Sequence, residues 1–192
     1  MDVTMPPDPW QKVRTYHDIP ADEVISGLQK SLRRGAAETA LLLGYEMFLT
    51  SEALEQKLWA RLQVIPVEDV GLGEPMLPVL IETLFQQHLR VAWPSPERFL
   101  FAAHAIRLIA RAPKDRTSDD MAGFARLELV ARNRTPEVPD YAIDMHTRRG
   151  IEMGRGYDHF LTEASHVENE LPERDTSFRD RLQAAIAAGE LR

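Results

Sequence analysis

The chain has 192 residues, enough for a domain with a proper core, and its apolar fraction of 44% is that of an ordinary globular protein. A net charge of −7 argues against a protein that coats nucleic acid over its whole surface, so any such contact has to come from a local basic patch. The absence of cysteine excludes disulfides and cysteine-type zinc sites, and no apolar run approaches the roughly 20 residues that span a bilayer.

Residues 1–20 read as an extended arm. Pro6, Pro7 and Pro9 oppose a helix there, and Trp10 is placed to pin the arm to the body. The acidic, proline-bearing start is unlike a signal peptide, so a cytoplasmic location is expected. From Ala21 the apolar period becomes helical. Ile25, Leu28 and Leu32 share one face, Gly35 interrupts, and Ala37, Ala40, Leu41, Gly44, Tyr45, Phe48 and Leu49 form the next stripe. Ser51 is placed to cap a third helix carrying Leu54, Leu58, Leu62 and Ile65, which Pro66 ends or kinks.

A loop follows, Glu68-Asp69-Val70-Gly71-Leu72-Gly73-Glu74-Pro75. Its carboxylates suit a metal or general-base pair. They suit equally a turn whose acids complement arginines and helix ends, and that is the expectation. The fourth helix carries Leu77, Leu80, Ile81, Leu84, Phe85 and His88 on one stripe. Ser95-Pro96-Glu97 then signals a helix start, and Phe99–Ala110 is apolar nearly all round, as in a central buried helix. His104, one turn from Leu100 and Leu108, reads as a hydrogen-bonded core histidine.

Pro113 stops that helix. Ser118 is placed to cap a sixth, running to about Arg132, and residues 134–140, with two prolines, read as a connector. Short helices are expected over Tyr141–Thr147 and Tyr157–Val167. An alanine-rich helix, Ser177–Ala188, is expected within a tail from 171 to 192. No period-two run appears, so the fold reads as all-α, a compact multi-helix body over residues 21–170.

The segment Asp140–Phe160 concentrates most of the chemically able groups. Gly150, Gly154 and Gly156 mark turns or close backbone approaches, and Arg148, Arg149 and Arg155 suit phosphate oxygens or the chain's many acids. His159, Glu163 and His166, at i, i+4 and i+7 of a helix, would make a zinc-type set with His146 as a fourth ligand. An exposed polar helix face has the same spacing. There is no Gly-x-x-x-x-Gly-Lys-Ser/Thr phosphate loop, no Gly-x-Ser-x-Gly elbow and no His-Glu-x-x-His pair, and no cofactor signature.

Four segments carry a resemblance. They are Val24-Ile25-Ser26-Gly27-Leu28-Gln29-Lys30-Ser31-Leu32-Arg33, continued by Ala40-Leu41; Arg61-Leu62 with Glu68-Asp69-Val70-Gly71-Leu72 and Glu74-Pro75; Ala112-Pro113-Lys114; and His146 with Gly154-Arg155-Gly156-Tyr157. Their order and spacing resemble the C-terminal region of the replication-associated recombination protein A family, AAA+ ATPases related to clamp loaders. Val67 stands where that family has serine, and His159 falls closer to the tyrosine than the family's histidine does. The resemblance covers roughly residues 22–160. It implies an all-helical domain like the clamp-loader C-terminal collar, assembling into tetramers or docking on a partner AAA+ ATPase, here without the ATPase module.

The expectation is therefore a non-catalytic helical assembly module of DNA replication, recombination or repair, touching DNA through Lys30, Arg33, Arg34, Arg148, Arg149 and Arg155. The alternatives are a purely structural interaction module without nucleic-acid binding, and a metal-dependent hydrolase using His159, Glu163 and His166.

Overall fold

The computed structural model describes residues 8–191. Pro6, Pro7 and the rest of the arm's start lie outside the described residues. The fold is all-α. Among the described residues there is no strand, only an isolated bridge between Arg14 and Pro20. The chain divides into two units, Met1–Asn133 and Arg134–Arg192. The division falls inside the stretch that reads as one body, just before the proline-bearing connector.

The first unit packs five helices around one core. Helix α1, Ala21–Arg33, buries Leu28 and Leu32 of the expected face, while Ala21 and Val24 complete that face and Ile25 is only half-buried. Helix α2, Ala37–Thr50, buries Ala40, Met47 and Phe48. Its Gly44 has no room for a side chain, since a Cβ there would meet Ile106 Cδ1 at 2.8 Å. Helix α3, Glu52–Ile65, buries Leu54, Leu58, Trp59, Leu62 and Ile65, and Ser51 Oγ caps it by accepting from Leu54 N at 3.2 Å. Pro66 ends α3, and the chain widens into a π turn over Pro66–Val70 that Gly71 leaves with φ +51°.

Helix α4, Leu77–His88, buries Leu77, Ile81 and His88. Helix α5, Pro96–Arg111, buries Phe99, Ala102, Ala105, Ile106, Ile109 and Ala110 against α2 and α4. Each large aliphatic side chain taken into this core contributes about 1.5–3 kcal/mol. The described part of the arm is held down. Asp8 caps a 3₁₀ turn at Pro9–Lys12, Trp10 packs on the core, and His17 N donates to Glu46 Oε1 at 2.7 Å.

Several expectations for this unit need correction, beginning with Leu41, Tyr45 and Leu49 of the α2 stripe and Leu80 of the α4 stripe, which are exposed. His104 is exposed, not a core residue, because α5 turns one line of its surface outward. Leu100, on the same line, is 66% exposed. Helix α6, Thr117–Arg126, begins one residue before Ser118, with Asp115 Oδ1 accepting from Thr117 N at 2.9 Å and from its hydroxyl at 2.6 Å. It runs into a π turn at Leu127–Ala131 and buries none of its own residues.

In the second unit the first short helix sits later than expected. The expected span Tyr141–Thr147 holds only a 3₁₀ turn at Asp140–Ala142. Helix α7 is Arg148–Glu152. Local side-chain bonds decide this: Asp144 Oδ1 accepts from His146 N at 2.9 Å, and Thr147 Oγ1 caps α7 by accepting from Gly150 N at 3.0 Å. Helix α8, Tyr157–His159, passes at once into a π turn over Phe160–Ala164, and the chain turns out of helix at Ser165. Helix α9, Ser177–Ala187, is followed by Gly189 at φ +77°.

Candidate nucleic-acid and partner surfaces

The loop after α3 is an ion-pair clasp. Asp69 is fully buried, and its Oδ1 accepts from Arg33 Nε at 2.7 Å and from Arg116 Nη1. Glu68 accepts from Arg33 Nη2 at 3.0 Å, Arg61 Nη2 at 3.2 Å and Gln29 Nε2 at 2.8 Å. Asp115 N closes on Asp69 O at 3.1 Å. Burial would lower the Arg116 pKa, but the bond to Asp69 and the charges of Asp69, Asp119 and Glu68 raise it. These carboxylates are spent on arginines from α1, α3 and the start of α6, so the loop has the structural role that the sequence favours. A buried acid so paired is costly to strand.

The clasp needs two close backbone approaches. A Cβ on Gly71 would lie 2.5 Å from Asp115 O, and one on Gly73 would lie 2.4 Å from Pro113 O. Lys114 Nζ donates to Ile109 O at 2.6 Å and Ala112 O at 2.7 Å, satisfying carbonyls at the end of α5. Burial pushes the Lys114 pKa down, with Asp69 opposing.

The clasp separates the first basic group. Arg33 is half-buried within it. Lys30 and Arg34 are exposed one turn apart; Lys30 Nζ reaches Ser26 Oγ, and Arg34 Nη1 donates to Lys30 O at 3.0 Å.

The second basic group divides in the same way. Arg155 folds back over its own loop. Its Nη2 meets Asp140 Oδ1 and Oδ2 at 2.9 and 2.7 Å, and its Nη1 donates to Asp140 O at 2.9 Å and Ile143 O at 2.5 Å. The bonds from Arg155 hold the Asp140 carboxyl below the usual range, helped by the charges of Arg155, His159 and Arg149. Arg148 pairs with Glu152 Oε1 at 3.0 Å across the helix surface with its side chain 91% exposed, a geometry worth little. Arg149 is exposed.

Gly150 and Gly154 act as expected here, while Gly156 is extended backbone at φ −107°. Gly150 packs so tightly that a Cβ would sit 1.8 Å from Asp144 O, and Gly154 turns the chain at φ +73°.

The zinc-type set does not assemble. Among the described residues no group of three or more His, Asp or Glu is placed to hold a metal ion. The helix that would align His159, Glu163 and His166 ends in a π turn at Ala164, so His166 leaves the stripe and lies beside Glu168 at 3.5 Å. His146 is taken by Asp144, its Nδ1 lying 2.9 Å from Oδ2.

Sequence reasoning missed a buried polar triad, the ion pair of Glu55 and Arg98 joined by His88. Arg98 Nε reaches Glu55 Oε1 and Oε2 at 2.8 and 2.9 Å, with the two side chains 7% and 2% exposed. Arg98 Nη1 donates to Val91 O at 2.5 Å, and Nη2 lies 3.3 Å from His88 Nε2. His88 stacks on Trp59 at 4.4 Å and bonds Phe85 O through Nδ1, which fixes Nε2 as the acceptor facing Arg98. The available signal was position: Glu55 and Arg98 sit within the apolar stripes of α3 and α5. Also unforeseen was the apolar surface left open on the first unit, where Leu42 of α2, Leu100 of α5, and Met121 and Phe124 of α6 all face solvent.

The described residues are all-helical, and acid–arginine networks clasp the first unit, while the sequence carries no phosphate loop. The family model described as MgsA AAA+ ATPase C terminal matches residues 37–181, and the chain belongs to that family, the C-terminal domain of a replication-associated recombination AAA+ ATPase. No curated protein is matched by the sequence.

Proposed function

We propose that the chain is a non-catalytic assembly module of DNA replication, recombination or repair, working in the cytoplasm by self-association or by docking on a partner AAA+ ATPase. The observation that carries this is the apolar surface of the first unit, left open on three helices of a domain from an ATPase family. Exposed apolar side chains mark association surfaces where they adjoin, as Leu41 of α2 and Leu100 of α5 do along one hollow. The pairing of Glu68 and Asp69 with arginines supports a structural role for that loop. Light scattering after size exclusion tests the reading. It should return a mass above the 21.8 kDa of one chain.

A second reading, direct DNA contact, is favoured by one observation. Lys30, Arg34, Arg148 and Arg149 keep their charges exposed on an otherwise acidic chain. Arg33 and Arg155, spent on Asp69 and Asp140, have no such role in it. A titration of labelled DNA at several salt concentrations separates this reading from assembly without nucleic acid.

A further inference from the structure

Helix α5 is the centre of the first unit, yet one line along it faces solvent: Glu97, Leu100, His104 and Arg107. Spacings of three, four and three keep these four on one stripe. Leu100 projects between two apolar hollows, and both hollows are bordered by Leu100 and His104. One is walled by Leu41, Ala103 and Ile106, the other by Leu84, Val91 and Phe101. Neither Glu97 nor Arg107 has a side-chain partner among the described residues.

The stripe has the same layout in both directions. Ala102 is the midpoint of 97 and 107, and also of 100 and 104. An acid and a base therefore stand at equal distances from a centre that holds a leucine and a histidine, also at equal distances. A contact around a two-fold axis requires such a pattern, because residue i must meet residue j while j meets i.

We propose that this stripe is a two-fold contact between copies of the chain. The α5 helices of two copies lie antiparallel. Each Leu100 enters a hollow beside His104 of the other copy, and Glu97 pairs with Arg107 at both ends. The occupant is a second copy because the charges complement themselves, a match that an unrelated apolar partner would not need. Exposed Leu41 of α2 borders one of these hollows beside the line and extends the apolar area. The inference rests on the self-association reading and gives it a surface.

The test uses the full chain and two exposed charge reversals, Glu97→Arg and Arg107→Glu, with light scattering as the readout. Each contact contains the pair twice, so either reversal alone turns two attractions into repulsions and weakens association by about thirtyfold. Mixing the two variants in equal amounts restores opposite charges at both ends and brings association back. Leu100→Asp weakens association alone and in every mixture. If wild type is a monomer, the self-association reading and this contact fall together. If wild type associates and both reversals associate as well as it does, the contact is wrong while self-association stands. Reversals that weaken association without rescue on mixing also overturn it, since a damaged fold or a different surface would behave that way.

Discussion

Replacing Arg98 by methionine would strand a carboxylate in the core. Glu55 is 1% exposed, and its two oxygens both accept from Arg98 Nε, at 2.8 and 2.9 Å. The substitution also frees the Val91 carbonyl and removes the guanidinium that faces His88 Nε2. Breaking one side of a buried pair costs about 3–5 kcal/mol, against a total stability of about 5–15 kcal/mol for a domain. With a urea m-value of about 2 kcal/mol per molar, the midpoint should fall by roughly 2 M. Tryptophan fluorescence is the assay to use, because Trp10, Trp59 and Trp93 all belong to the first unit. Removing both charges, as Glu55→Leu with Arg98→Met, should recover much of the loss, since a packed apolar pair does not leave a charge behind. A loss below about 1 kcal/mol for Arg98→Met, or a double variant weaker than the single one, would refute the triad as a stability element.

Three more predictions follow from the same geometry. Burial, with Arg98 nearby, holds the His88 pKa below its ordinary value, so the unfolded chain takes up the proton first. Stability should therefore be flat above about pH 6.5 and fall as pH drops below it, and His88→Gln should remove that slope in urea melts at pH values above the carboxylate range. Gly150→Ala places a Cβ against Asp144 O, so amide exchange over residues 140–156 should speed up markedly while the fluorescence melt of the first unit stays unchanged. If DNA is bound, Arg149→Ala and Arg34→Ala should each reduce the slope of log affinity against log salt by about one, whereas Arg155→Ala should leave the slope alone and loosen its loop.

Much of the first unit was legible because apolar side chains at helical spacing dominate it. The stripes of α1, α3 and α4, the Ser51 cap and the break at Pro66 all follow from local rules. The clasp was legible only as acids near arginines. That Arg33, Arg61 and Arg116 meet on Glu68 and Asp69 depends on three segments brought together by the core. His104 misled because α5 is apolar on nearly every side, which cannot reveal the side that meets no neighbour. The segment 140–160 misled for the opposite reason. Asp144, Thr147 and Asp140 compete for backbone and arginine donors, and such local bonds shift a short helix more readily than an apolar stripe can hold it.

The proposed role of the chain is assembly with copies of itself or docking on a partner AAA+ ATPase. Sedimentation equilibrium of the purified chain, from low to high micromolar concentration, tests the self-association arm most directly. A weight-average mass that climbs with concentration above 21.8 kDa is the predicted result. A mass fixed at one chain across the whole range would contradict self-association and remove the α5 contact with it.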